Sequence, residues 1–559
     1  MKKRIIGSAL IIAGVLSLCA CESSVKDYDK NATVNKIESK DYSFINTTDM
    51  YIAKKDKITA YYVNDSDFIY VDAKSYLESL EGVFDLSGVT FSATANTLTI
   101  KANDESLTIT PDGNKISMTN AGVLNITADS ETIDFMANTQ FENSYNKEGS
   151  SINYDLSNYS MNIFKYDDLF LVPFDLINDL YGAANYYNVY FNYDKFYGTY
   201  PYVDSENEYE EDILTSHKSS TIEMRKHNYN NMAFVFENLY GLKESQGFKS
   251  FDDLVGADNK KLLLSTNPDR YNTGYANLFT YKLDEGHSYI VSAGYEGSEG
   301  LLTFGYGNRL LKMVTDYSAL MGASPLMNAE DNSNCRVTYY GDTAMISFSD
   351  FLVGSDEDLY DKNGNLASDA YYYDTFYMVK HYLDEAKDRN IKNIIFDLSL
   401  NGGGYIVAFI KALGLITNDN IYYGVEDAIT GEIQVEEYSV DADCDGDYKD
   451  SDAYTDFKYY ALTSHYTYSA ANAFATYIKE KNIGKVIGRK AGGGKCSVLP
   501  VVLGDGTSMA ISSTNWSGVG FVDEIGNPSV VSYELGVDVD ITLDLKDFYN
   551  LEKINSLLD

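Results

Sequence analysis

The sequence is poor in cysteine, histidine and basic residues, and beyond its first 20 residues it has no long apolar run. Of five cysteines, Cys19 and Cys21 lie in the leader, which leaves Cys335, Cys444 and Cys496. Three thiols cannot all pair with one another, and no CxxC spacing is present, so neither a disulfide framework nor a zinc site is expected. Forty-four Lys+Arg stand against 83 Asp+Glu, a net charge of −39 spread along the chain. Such a surface repels nucleic acid and anionic headgroups, which excludes both as partners. No segment after the leader approaches the ~20 apolar residues of a membrane-spanning helix. With only five histidines, any chemistry that needs an imidazole has few candidates.

What is present begins with the leader, "MKKRIIGSALIIAGVLSLCACESS", in which Lys2, Lys3 and Arg4 precede an apolar run from Ile5 to Leu18. This is the pattern of a secretory signal over residues 1–20, too short to span a bilayer stably. Leu18-Cys19-Ala20-Cys21 resembles a bacterial lipobox, which implies cleavage before Cys21 and lipidation of its thiol. The expectation is a protein held on the outer face of the cytoplasmic membrane by acyl chains. Residues 21–42 are polar and aperiodic, as a tether would be.

The length of 559 residues suggests about three or four domains. Within 43–205, "DFIYVDAKSYLESLEG" with "NTLTIKA", and "DLFLVPFDLINDLYGAANYYNVYFNYD", read as one strand-helix-strand unit repeated at a spacing of roughly 100 residues. Both copies resemble the small stalk-like modules named after the N-terminal domain of copper amine oxidases. No His cluster could hold copper in either. Residues 206–334 turn helical, with Met232, Val235, Phe236 and Leu239 at i, i+3, i+4 and i+7. From 335 to 559 strands and helices alternate, which indicates an α/β domain whose active site lies at the carboxyl ends of its strands.

Two strand-to-helix loops in that region are unusual, "FDLSLNGGGY" at 396–405 and "TYSAANAF" at 467–474. Ser469 stands where a strand turns into a helix, so it is either a helix N-cap or a nucleophile. Gly402, Gly403 and Gly404 allow a backbone that presents N–H groups to an oxyanion.

"IIFDLSLNGGG", "SAANAFATYIKEKNIGKVIGRKAGGG" and "YELGVDVDITL" resemble the glycine loop, nucleophile helix and closing segment of the tail-specific, or C-terminal processing, serine peptidases. The resemblance implies a ClpP/crotonase-like core of ββα units, Ser469 as nucleophile, and Gly403 and Ala470 as oxyanion donors. It leaves two choices of base. One branch uses a lysine after the glycine turn, but a gap-free alignment places Gly494 there and Lys495 one residue out of register. The other, tricorn-like branch uses histidine, and "YKLDEGHSYI" matches its segment with His287. Imidazole also titrates near working pH without desolvation. His287 is therefore the expected base, with Glu534 of the closing segment orienting it. His217, His227 and His381 read as solvated helix residues, and His465 as part of a strand exit. About 55 residues separate His287 from the core, too few for the PDZ module of most relatives.

"DADCDGDYKDSD" places Asp441, Asp443, Asp445, Asp447 and Asp452 at the ligand positions of an EF-hand loop, with Gly446 at the turn. A structural calcium is expected there, and no cofactor for catalysis. The sequence thus points to a lipid-anchored serine endopeptidase acting on proteins or peptides. A catalytically silent peptide- or ligand-binding lipoprotein on the same fold is the alternative.

Overall fold

The computed structural model describes residues 28–203, 207–297, 307–327, 334–449 and 451–558. Cys21 and the whole leader lie outside the described residues. Among the described residues, no helix is long and apolar enough to cross a membrane.

The alternation after residue 335 builds a six-stranded sheet in the order Cys335–Tyr340, Thr343–Phe348, Asn393–Asp397, Lys458–Thr463, Gly484–Gly488 and Ile541–Thr542. The first pair is antiparallel and the others are parallel. Its inner strands are apolar at nearly every position because both faces are covered. Ala344, Ile346, Ile394, Phe396 and Ala461 face the helices Thr375–Asp388, Ile406–Gly414 and Ala470–Glu480. Met345, Ile395, Tyr460, Leu462 and Ile487 face the opposite way, onto Leu320, Phe548 and Leu551.

A second, antiparallel sheet is centred on the 15-residue strand Ser508–Val522. That strand pairs with Tyr289–Ser292, Ile421–Asp427, Cys496–Val502 and Pro528–Val531. The outermost strand of this sheet, Thr139–Lys147, comes from the N-terminal part and pairs with Ile433–Val440. The part expected to stand off as a stalk is therefore stitched into the C-terminal half.

The N-terminal part departs from two repeated modules in another way. The strands Tyr70–Asp72 and Leu169–Pro173, expected in separate modules, are antiparallel neighbours in one seven-stranded sheet. Their third elements diverge: Asn188–Phe191 joins that sheet, whereas Leu98–Ala102 belongs to a separate five-stranded sheet. A short pattern in sequence does not fix which sheet a strand joins.

His227 also differs from expectation. It lies on the Ile222–Asn238 helix, buried, with its Nε2 2.9 Å from Asp175 and its ring stacked on Phe68 at 3.7 Å. The surrounding residues are polar in sequence, but the helix buries Arg225, Asn228 and Asn231 along with His227. His217 and His381 are exposed as expected.

Removing residues 28–203 takes Thr139–Lys147 off the sheet and strips the cover from the Ile222–Asn238 helix. The shortened chain is expected to aggregate or to lose cooperative unfolding, measured by size exclusion and thermal melting. A monodisperse, cooperatively melting 207–559 fragment would contradict this.

Candidate active site

The strand Lys458–Thr463 ends one turn before Ser469, and the helix Ala470–Glu480 begins immediately after it. Ser469 occupies the N-cap position, yet its side chain makes no capping hydrogen bond. Its backbone has φ +55° and ψ −127°, a conformation that L residues rarely adopt. Such strain persists only where the surroundings impose it, and a sharp strand-to-helix turn of this kind lifts a hydroxyl away from the backbone. The helix is anchored by Ala470, Ala471, Phe474, Ala475 and Ile478 in the core beneath the sheet.

The imposed contacts come from three segments. The Ser469 N–H donates to the Gly493 carbonyl at 2.8 Å, and the Gly492 N–H donates to the Thr467 carbonyl at 2.8 Å. On the other flank, the Tyr468 N–H donates to the Asn401 carbonyl and the Thr467 hydroxyl to the Leu398 carbonyl. Gly403 passes so close that a Cβ there would lie 2.7 Å from that of Ser469. The closing segment is fastened by Asn472, whose side chain donates to the Tyr533 carbonyl and accepts from the Val537 N–H.

Ser469 and Lys495 line one narrow cleft, together with Ala470, Asn472, Ser517 and Tyr533. The Lys495 ammonium lies 2.9 Å from the centroid of the Trp516 ring, and burial lowers its pKa from the ordinary lysine value. Gly493 and Gly494, at φ +98° and +82°, bend the turn so that the one-residue displacement counted in sequence does not keep Lys495 out of the Ser469 cleft.

His287 is placed differently. It is buried and does not line that cleft; its ring packs edge-on against Tyr468, 4.8 Å between centroids. Its backbone N–H donates to the Glu285 carboxylate at 2.6 Å, and its Nδ1 has no hydrogen-bond partner among the described residues. Burial, with Arg309 nearby, pushes the imidazole pKa down to about 3. Glu534 does not reach this ring. Its carboxylate pairs with the Arg309 guanidinium and accepts the Lys495 backbone N–H at 3.0 Å.

Gly403 is likewise engaged elsewhere than expected. Its N–H donates to the Asn401 side chain at 2.9 Å, so in this arrangement it is not directed at an oxyanion. The N–H groups of Ala470 and Gly404 have no acceptor among the described residues.

Arg309 and Asp316 had no signal in the sequence, because neither belongs to a motif. Both lie on the helix Asn308–Leu320 and tie it to the loop before Ser469. Arg309 donates to the Gly492 carbonyl and the Tyr468 hydroxyl, 3.0 and 3.1 Å, besides pairing with Glu534. Asp316 accepts from His465 Nδ1 at 2.8 Å and pairs with Arg489. His465 is thus tied to a carboxylate at the strand exit. In the acidic loop, carboxylate oxygens of Asp441, Asp443 and Asp452 come within 4.8 Å of one another, while Asp445 and Asp447 do not join that group.

Residues 345–519 match the model of peptidase family S41. The match includes the strand-turn-helix that carries Ser469 and the glycine turn before Lys495. Over these residues, less than half of its length, the chain is similar to the S41 peptidases. No curated protein matches it. Solved structures similar to it include a putative peptidase from Parabacteroides merdae, 17% identical over 61% of this chain and 98% of that one, with a TM-score of 0.38. The photosystem II D1 C-terminal processing protease is 18% identical over 36% of this chain, with a TM-score of 0.26, and only 43% of its own length is spanned. A lipoprotein from Streptococcus agalactiae is 14% identical over 54% of this chain and 86% of that one, TM-score 0.29. The family match does not reach residues 43–205, and the likeness to copper amine oxidase modules finds no support.

Gly403→Ala adds a Cβ against Ser469 at a backbone of φ +122°. It is expected to cost about 1–3 kcal/mol in urea unfolding. Unchanged stability would show that the loop does not hold Ser469 in place.

Proposed function

We propose that this chain is a surface-anchored serine endopeptidase that hydrolyses extracytoplasmic proteins or peptides on a ClpP/crotonase-like core. Ser469 is the nucleophile and Lys495 is its base. The observation that carries this reading is a serine at a helix N-cap that makes no cap bond and shares a cleft with a partly desolvated lysine. Desolvation favours the neutral amine, the form that can accept a proton.

Ser469 Oγ attacks the scissile carbonyl while Lys495 Nζ takes its proton. The resulting ammonium then protonates the leaving amine, which departs and leaves an acyl-serine. Water, deprotonated by the same amine, adds to the ester and releases the acid and the free serine. The Ala470 and Gly404 N–H groups, both without an acceptor, support the oxyanion in each tetrahedral intermediate. A second reading keeps His287 as base, favoured by its buried Nδ1 without a partner. The catalytically silent alternative requires that Ser469 not react at all.

Peptide hydrolysis measured against pH separates the two bases. With Lys495 as base, activity rises with pH and is lost as pH falls through the lysine pKa, because the ammonium cannot accept a proton. With His287 at about 3, the rate would stay flat from about pH 5 to 8. Lys495→Ala is expected to lower kcat by several orders of magnitude, and Ser469→Ala/Lys495→Ala to be little worse than either single change. His287→Gln should cost far less. Loss of activity in His287→Gln with retention in Lys495→Ala would reverse the assignment.

The chain reaches its substrates from a membrane surface through acyl chains on Cys21, and a calcium ion braces the 441–452 loop. Hard carboxylate oxygens from Asp441, Asp443 and Asp452 suit that ion. Asp441 already accepts the backbone N–H groups of Cys444 and Gly446, which shapes the loop around it. Millimolar calcium is expected to raise the melting temperature, with about 2.7 kcal/mol available at a hundredfold excess over Kd. Asp441→Ala with Asp443→Ala should abolish the rise; no shift in the unmodified protein would contradict the site.

A further inference from the structure

Lys495 is held in its cleft without a polar partner for its amine. Among the described residues its Nζ makes no hydrogen bond and no ion pair, and Glu534 and Glu426 act on it only from a distance. What the amine does touch is the face of Trp516, 2.9 Å from the ring centroid. A lysine side chain loses much rotamer freedom when it is fixed, so some attraction has to offset that loss. The indole face supplies it.

Trp516 is itself firmly held. It lies within the strand Ser508–Val522, opposite Cys496 on one side and Glu426 on the other. Its Nε1–H donates to the Gly241 carbonyl at 3.3 Å. The Gly241 N–H donates to the Ser512 carbonyl at 2.9 Å, and a Cβ on Gly241 would lie 2.0 Å from the Ser513 carbonyl oxygen. The next residue of the strand, Ser517, donates its N–H to the Lys495 carbonyl at 2.7 Å. One strand therefore fixes both the backbone of the lysine and its amine.

We propose that Trp516 is the positioning residue for the base, its indole face holding the Lys495 amine in the Ser469 cleft throughout the proton transfer. This role rests on Lys495 being the base. An aromatic face attracts the N–H groups of an ammonium and, less strongly, those of a neutral amine. A carboxylate in the same place would hold the ammonium and resist its deprotonation. The ring also keeps water from one side of the amine, in line with the direction in which burial moves its pKa. A partner that orients the group without fixing its charge suits a base that takes a proton and returns it.

Trp516 is the only tryptophan of the chain, so tryptophan fluorescence reports on this contact alone. An ammonium against an excited indole quenches it, and a neutral amine does not. Emission of the folded protein is expected to rise with pH in a step that is absent from Lys495→Met and has the same midpoint as peptide hydrolysis. Trp516→Leu should lower kcat about ten- to thirtyfold, with KM within about twofold. Its pH midpoint should move up toward the ordinary lysine value, because the released amine regains water. Trp516→Phe, which keeps an aromatic face, should stay within about threefold of the unaltered kcat. Should Trp516→Leu fail to fold, the emission step of the unaltered chain decides the matter. An emission step that survives in Lys495→Met, an unaltered kcat and pH profile in Trp516→Leu, or a Trp516→Phe as impaired as Trp516→Leu would overturn the proposal. Failure of the base assignment reads differently: Lys495→Met then keeps its activity while the unaltered chain still shows the emission step, and the positioning role falls with it.

Discussion

The hydrogen bond from the Ser469 N–H to the Gly493 carbonyl is the constraint on which the site depends. It holds a non-glycine residue at φ +55° and so turns the hydroxyl away from the capping position it would otherwise take. The bond exists only because the glycine turn folds back against the Ser469 loop. That turn is in turn held by Arg309, through Gly492, and by the closing segment, through Glu534. Segments far apart in sequence, 308–320, 401–404, 464–470, 489–495 and 533–537, are thereby fixed around one serine. Strain of about 1–3 kcal/mol at such a residue is sustained by the surrounding bonds, none of which is large alone.

The electrostatics at the site follow from burial more than from charge count. A protein of net charge −39 would be expected to hold cations strongly protonated, yet Lys495 is shifted the other way because desolvation outweighs Glu534 and Glu426. The same effect on His287 is larger and leaves an imidazole of little basicity. Desolvation therefore favours the lysine as proton acceptor and disfavours the histidine, although free in water the histidine is the better suited of the two at neutral pH.

Much of this arrangement was legible in the sequence. The alternation of "TAMISF", "NIIFD" and "KYYALT" with amphipathic helices gave the parallel sheet, and the glycine loop, the serine turn and the closing segment do converge. Counting along the chain failed at Lys495, because positive φ at Gly493 and Gly494 makes residue spacing a poor guide to direction. It failed at Glu534 because Arg309, the residue that claims its carboxylate, sits in a helix with no motif. It failed at Gly403 because the Asn401 side chain competes for the same N–H, a local contact that composition does not reveal. The burial of His227 and the pairing of Thr139–Lys147 with Ile433–Val440 depend on tertiary contacts, which no local pattern encodes.

The most direct measurement on the central claim is peptide mapping by mass spectrometry after reaction of the native chain with a fluorophosphonate. The account predicts a single adduct, on the peptide that contains Ser469, which disappears when the protein is unfolded in urea before labelling. An adduct on a different residue, or a fully folded protein that takes up none, would contradict it.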